Sequence, residues 1–399
     1  MTPQAHSSKN TAVGVLACLA ALTTLATNII LPAFPDIGRT LAVSPQSLAV
    51  TLSAFFIPFA LGQLVIGPVS DRRGRKGLML SGLAVLAIGS MVCALATQLE
   101  WLVVGRAIQG LGACAPSVLA RSIIRDLFEG VTLSRALSFV MVAMAAAPGF
   151  SPMVGGLLSH MVGWRSTFWL VAALNILLGL LYSTRIGETH LPTARRDAFI
   201  AATFTSYVQL LGDRRFMAPA MGVGLAVGGL LAFFAATPAI LMGGLGLTSI
   251  ELGYFFAVTV LVVFGAGIMA PRLATRWSAP VVATVGCTIA LAGSIALLAG
   301  SAGLLHFSVS MSIFLFGIGL LNPLGTAMAL QPFGARAGAA SALLGFLQMG
   351  AASLAITAMA AAEGPANRLL GAVLVACMGV SLIFLLLPQN KVQAPATPV

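Results

Sequence analysis

Apolar residues in this chain come in long unbroken blocks, not at every second or third position. Each block runs about 20 residues, the length that crosses roughly 30 Å of hydrocarbon at 1.5 Å per residue. Short polar, glycine-rich or proline-rich strings separate the blocks. Twelve helical spans are predicted, near residues 12–34, 47–67, 77–97, 101–120, 136–159, 165–184, 217–240, 250–270, 279–300, 305–328, 338–361 and 369–388. A transmembrane barrel would alternate apolar and polar positions over strands of about ten residues, so the fold class is all-α integral membrane. The first block is too long for a cleavable signal and runs into Leu31-Pro32-Ala33-Phe34-Pro35 without a cleavage site, so it reads as the first span.

The polar intervals give the organisation. The longest lies at about 185–215 and holds Arg185, Glu188, His190, Pro192, Arg195, Arg196, Asp197, Asp213, Arg214 and Arg215. It divides the chain into a six-helix bundle over 1–184, a linker over 185–216 and a second six-helix bundle over 217–399. Residues 199–211 of the linker are apolar enough to form a short helix at the membrane surface. With the N-terminus inside, seventeen of the 21 Lys and Arg fall in cytoplasmic segments; Arg39, Arg165 and Arg368 are outside and Arg106 lies within a span. The positive-inside rule therefore puts the linker and both termini in the cytoplasm.

Composition sharpens this picture. Hydrophobic residues make up 59% and charged residues 8% of the chain, and the mean hydropathy is +1.02. A soluble protein carries about 25% charged residues. The net charge of +11 records topology and needs no nucleic acid; the basic loops can also meet anionic lipid headgroups. Cys18, Cys93, Cys114, Cys287 and Cys377 all fall inside apolar spans without metal-ligand spacing, and read as small buried hydrophobes. No cofactor or metal is expected.

Four strings carry chemistry. Between the second and third spans, Gly67-Pro-Val-Ser-Asp71-Arg72-Arg73-Gly74-Arg75-Lys76 is denser and more patterned than a positive-inside loop requires. It resembles the G-x-x-x-D-R-x-G-R-[RK] signature of the major facilitator superfamily. A partial echo, Gly267 to Arg272 and Arg276, follows the eighth span, where a loop is expected. The fourth span contains Arg106-Ala-Ile-Gln109-Gly110-Leu-Gly112, similar to the superfamily's R-x-x-Q-G-x-G pattern. Arg106, Gln109 and Gly110 share one helix face, and a charge inside a span usually faces a cavity or a partner. The fifth span holds Pro148-Gly-Phe-Ser151-Pro152-Met-Val-Gly155-Gly156, similar to the P-x-x-G-P-x-x-G-G motif of drug–proton antiporters, with Ser151 in place of a glycine. Prolines remove helical hydrogen bonds and glycines admit a neighbouring helix, so Pro148, Pro152, Gly155 and Gly156 read as a bendable packing seam. Finally, residues 27–37 and 322–349 resemble the Bcr/CflA group of bacterial multidrug efflux transporters.

These resemblances imply a major facilitator fold: twelve helices in two bundles, both termini cytoplasmic, in the bacterial inner membrane. They imply a transporter, not an enzyme. The expected activity is export of small amphipathic drugs or metabolites by alternating access, in exchange for protons. The competing readings are a specific exporter or importer of one metabolite, and a non-transporting receptor. Substrate-cavity candidates are Thr24, Asn28, Arg106, Gln109, Tyr254, Asn322 and Gln348. The conformational latch is Asp71, Arg72, Arg75 and Asp126, with Arg75 pairing Asp126 and Asp71 facing the start of the eleventh span near Gly338. Relatives in the group often carry an acid in the first span; here Asn28 stands in its place, and none of the ten acids is expected in the membrane core. A cavity with Arg106 and no acid favours neutral or anionic ligands. Proton coupling then falls to Asp36, Arg106 or Asp71. A monomer is expected.

Overall fold

The computed structural model describes residues 3–189, 200–300 and 303–387. His190, Pro192, Arg195, Arg196 and Asp197, named in the linker above, lie outside the described residues. Helices long and apolar enough to cross a membrane number twelve among the described residues. They lie in the order expected.

The first departure is in the first span. Helix α1 (Pro3–Asn28) stops before the string of prolines, a 3₁₀ turn covers Leu31–Ala33, and α2 (Phe34–Leu41) resumes. Pro32 and Pro35 have no N–H to give the carbonyls four residues back, so the α-helical ladder cannot run through. The expected continuous span 12–34 is therefore a broken one.

Helix α3 (Pro45–Arg73) carries the signature string at its end, and Gly74 takes φ +93°, a conformation that a side chain disfavours. Helices α4 (Lys76–Ala94), α5 (Leu99–Leu127), α6 (Gly130–Val162) and α7 (Arg165–Arg185) complete the first half. The short helix expected at 199–211 is α8 (Ile200–Gly212). The second half comprises α9 (Arg214–Pro238), α10 (Ser249–Trp277), α11 (Ala279–Ala299), α12 (Leu304–Leu330), α13 (Ala337–Ala361) and α14 (Ala366–Leu386). The loop expected after Gly267 is absent; α10 stays helical to Trp277 despite Pro271.

Within the halves α4 packs on α5 and α11 on α12; between them the main seams are α3 with α13 and α6 with α10. The outward faces are apolar, as on α10, where Tyr254, Val258, Leu261 and Ile268 are exposed along one stripe. Such faces suit lipid, which leaves helix association to close packing and interhelical hydrogen bonds. Four cysteines are buried, but Cys18 is exposed on α1, which corrects its reading as a buried hydrophobe.

Candidate functional site

Arg106 is completely buried in the first half, 0% exposed. Its Nη1 donates to Ala26 O and to Gln109 Oε1, both at 2.9 Å, and its Nε reaches Thr51 O at 3.5 Å. The guanidinium carbon lies 4.5 Å from the centre of the Phe55 ring, close enough for a cation–π attraction. Gln109 in turn donates from Nε2 to Ser90 Oγ at 2.7 Å. One cation thus ties together α1, α3, α4 and α5. Ala26 O is among the last carbonyls of α1, which lack intrahelical partners and carry partial negative charge; the break in the first span supplies the acceptor. Gly110 lets α5 approach, since a Cβ there would overlap Phe55 O.

The expectation that Arg106 faces an open cavity is corrected: its bonds point into the first bundle. One nitrogen, Nη2, is buried and has no partner. Among the described residues Arg106 forms no ion pair, and every described acid lies in a first or last helical turn, at an N-cap or in a loop.

The other cavity candidates are distributed. Asn28 is buried and donates from Nδ2 to Thr24 O at 3.0 Å, so these two sit together on α1, close in sequence to Ala26. Asn322 on α12 is half-buried and its Oδ1 accepts from Thr326 Oγ1 at 3.5 Å. Gln348 is half-buried on α13. Tyr254 is 62% exposed on the apolar outer stripe of α10, which removes it from a shared cavity.

The antiporter-like string of α6 lies against both halves. A Cβ on Gly155 would overlap Ile29 O, in the break of the first span, and one on Gly156 would come 2.6 Å from Ser249 O at the start of α10. Pro148 and Pro152 lie within the same unbroken helix. Asp36 is close by at this end of the bundle. Its Oδ2 accepts from Ser159 Oγ at 2.9 Å and its Oδ1 pairs with Arg39.

At the opposite, basic end Arg75 is buried beneath two acids. It pairs with Asp126 through Nε, donates from Nη2 to Asp126 Oδ1 at 3.2 Å, and lies 3.4 Å from Asp71 Oδ1. Arg72 is exposed. Asp71, Arg75, Asp126 and Gly338 line a cavity of about 310 Å³ between α3, α5 and α13. A Cβ on Gly67 or Gly338, both on its lining, would meet no atom within 4 Å. Sequence reasoning missed Glu188, whose carboxylate accepts from the N–H of Arg75 at 2.9 Å and of Lys76 at 3.1 Å. It caps the start of α4, where a negative charge is favoured. Ser90 was also missed as a group of the Arg106 site.

A family model described as Major Facilitator Superfamily matches residues 16–356. Multidrug resistance protein D of Escherichia coli is 31% identical over 382 residues, covering 94% of each chain. The bicyclomycin resistance protein homolog of Haemophilus influenzae is 26% identical over 333 residues, 83% of this chain and 84% of that protein. Among solved structures, the xylose transporter XylE from E. coli in a partially occluded inward open conformation superposes with a TM-score of 0.74, covering 97% of this chain and 100% of that one. At 14% identity that likeness shows the fold alone.

Proposed function

We propose, from the premise that the chain belongs to the major facilitator superfamily of transporters, that it exports small amphipathic compounds from the bacterial cytoplasm in exchange for protons. Multi-pass residence in the bacterial inner membrane follows from the twelve spans and the bacterial relatives. The basic end is assigned to the cytoplasm with both termini, on the charge asymmetry of the loops. The two moving bodies are residues 1–184 and 217–399, joined by 185–216, and the chain works as a monomer.

The observation that carries the reading is the buried Arg106, which among the described residues has one unused nitrogen and no ion-pair partner. A guanidinium buried near the broken first span sets a positive potential there, which favours a neutral or anionic group and disfavours a cation. Thr24, Asn28, Gln109, Asn322 and Gln348 are the accompanying candidates for the substrate path. Support for export, as opposed to uptake, comes from the names of the relatives and from the α6 seam, where Gly155 and Gly156 pack against the break of the first span and the start of α10. Asp71, Arg72, Arg75 and Asp126 form the latch of the cytoplasmic end.

The test is direct. An efflux-deficient bacterial host expressing the chain is challenged with a panel of neutral, anionic and cationic drugs, with and without an uncoupler. The expected result is lower accumulation of neutral or anionic compounds, reversed by the uncoupler. Protection confined to cations would reject the substrate class, and export indifferent to the uncoupler would reject proton coupling.

A further inference from the structure

Among the described elements, helix α8 lies in the linker between the bundles, and it has two distinct faces. Phe204, Val208 and Leu211 are exposed on one side, spaced to meet the headgroup boundary. Tyr207 and Leu210 are buried on the other. The Tyr207 phenol, 8% exposed, donates to Leu64 O of α3 at 2.8 Å. That carbonyl is available for a sequence reason. Four residues on stands Pro68, which has no N–H, so α3 cannot complete its own bond there. A buried carbonyl without a donor is unfavourable, and Tyr207 supplies one. Burial pushes the phenol up to about 12, so the donor keeps its proton throughout the neutral range.

The main packing of α8 is against the second half. It packs on α9 and α13, and Gln209 Oε1 accepts from Arg336 Nη1 at 2.6 Å, just ahead of α13. Next to Leu64, Gln63 of α3 lies so close to α13 that a Cβ on Gly345 would overlap its Oε1. The Tyr207 bond therefore crosses from a helix attached to the second half to a helix of the first, beside their tightest meeting.

We propose that Tyr207 is a positioning residue of the transport cycle: its phenol clasps the linker helix to the gap that Pro68 leaves in α3 and holds the basic-end gate shut. The inference rests on the alternating-access reading above. Opening that gate parts α3 from α13 and breaks the bond, leaving Leu64 O without its donor. Removing the hydroxyl removes this penalty, and one net hydrogen bond corresponds to about a five-fold rise in the open-to-closed ratio.

The experiment uses the full chain in lipid nanodiscs, with Cys18→Ser and spin labels at Arg73→Cys and Gln331→Cys, both exposed and on opposite halves. Pulsed EPR distances give the populations without any substrate. Tyr207→Phe, which loses a single oxygen, is expected to raise the longer-distance population about five-fold. Pro68→Ala supplies the clasp's control. It returns an N–H to Leu64 O, so in that background Tyr207→Phe should shift the ratio by less than about two-fold. Equal shifts in both backgrounds would make Tyr207 a packing residue and overturn the clasp, as would no shift in either. A single distance in every variant would instead count against alternating access, and the clasp would fall with it.

Discussion

At Arg106 the first half buries a permanent cation whose charge is carried by two neutral oxygens, Ala26 O and Gln109 Oε1. Removing the side chain leaves Ala26 O buried without that donor, a cost of about 1–3 kcal/mol, and leaves Gln109 Oε1 only the weak donor Cys93 Sγ at 3.8 Å. Arg106→Ala is therefore expected to abolish efflux and lower the melting temperature of the purified protein. Arg106→Lys keeps the charge but loses the planar fork. It should retain partial activity, about ten-fold below wild type, since one charge-assisted bond of about 1.5 kcal/mol is lost. Wild-type efflux rates in Arg106→Lys would reduce the role to charge alone. Asn28→Asp adds a carboxylate at a position 3% exposed on α1; if residue 28 lines the path, the drug profile shifts toward cations, and an unchanged profile removes it from the site. Much of this was legible in the chain. Arg106 and Gln109 stood out because a charge and an amide three residues apart have no reason to sit in lipid. Their partners were not legible, because Ala26 O becomes an acceptor only where α1 ends. Tyr254 misled for a related reason: lipid-facing and cavity-facing stripes of a membrane helix are both apolar, and one sequence does not separate them.

Among the helices, the seam of α6 depends on the absence of side chains at two adjacent positions. Gly155 admits the backbone of the first span's break, and Gly156 admits the start of α10. Gly156→Leu would drive a branched side chain into Ser249 O, and overpacking of this kind costs about 1–3 kcal/mol. Its expected effect is to loosen the far-end seal, with efflux reduced about ten-fold while the membrane content of the protein is unchanged. Cysteine labelling from the outside at Ser249→Cys should become faster in the variant. Normal efflux and unchanged labelling would mean that the seam yields without consequence. The span count was legible because every helix pairs its own backbone groups internally and so must be about 20 residues of apolar chain. Helix ends were less so. The break at 29–33 was hidden because the tract stays apolar through it, even though Pro32 and Pro35 supply its cause. The cap that Glu188 gives α4 joins residues more than a hundred positions apart, and no local pattern announces it.

For the whole molecule, the two halves meet along α3–α13 and α6–α10, and transport requires those seams to part in turn. Asp71 tests the basic end. Its side chain is 54% exposed, so its pairing with Arg75 is worth only about 0–1 kcal/mol, and Asp126 continues to hold Arg75 without it. Asp71→Asn should leave folding intact. A large loss of efflux would then have to come from the gate cavity that Asp71 shares with Gly338, and little change would make Asp71 a surface counter-charge. Coupling is the remaining question at this scale, since no described acid lies in a membrane core. On the proton-exchange reading proposed above, a carboxylate at one end exchanges the proton, and Asp36 is the candidate at the far end, near the α6 seam. It is held by Ser159 and by Arg39, whose side chain is 80% exposed, so both partners can release it as that end opens. With a substrate established by the drug panel, the measurement is proton release on substrate addition to the purified protein. Release in wild type that disappears in Asp36→Asn is the expected result. Unchanged release in that variant would move the proton to Asp71 or Asp126 at the opposite gate. No release in wild type, for a compound that is carried, would make the transport uncoupled from protons and leave the closed far end to open on substrate binding alone.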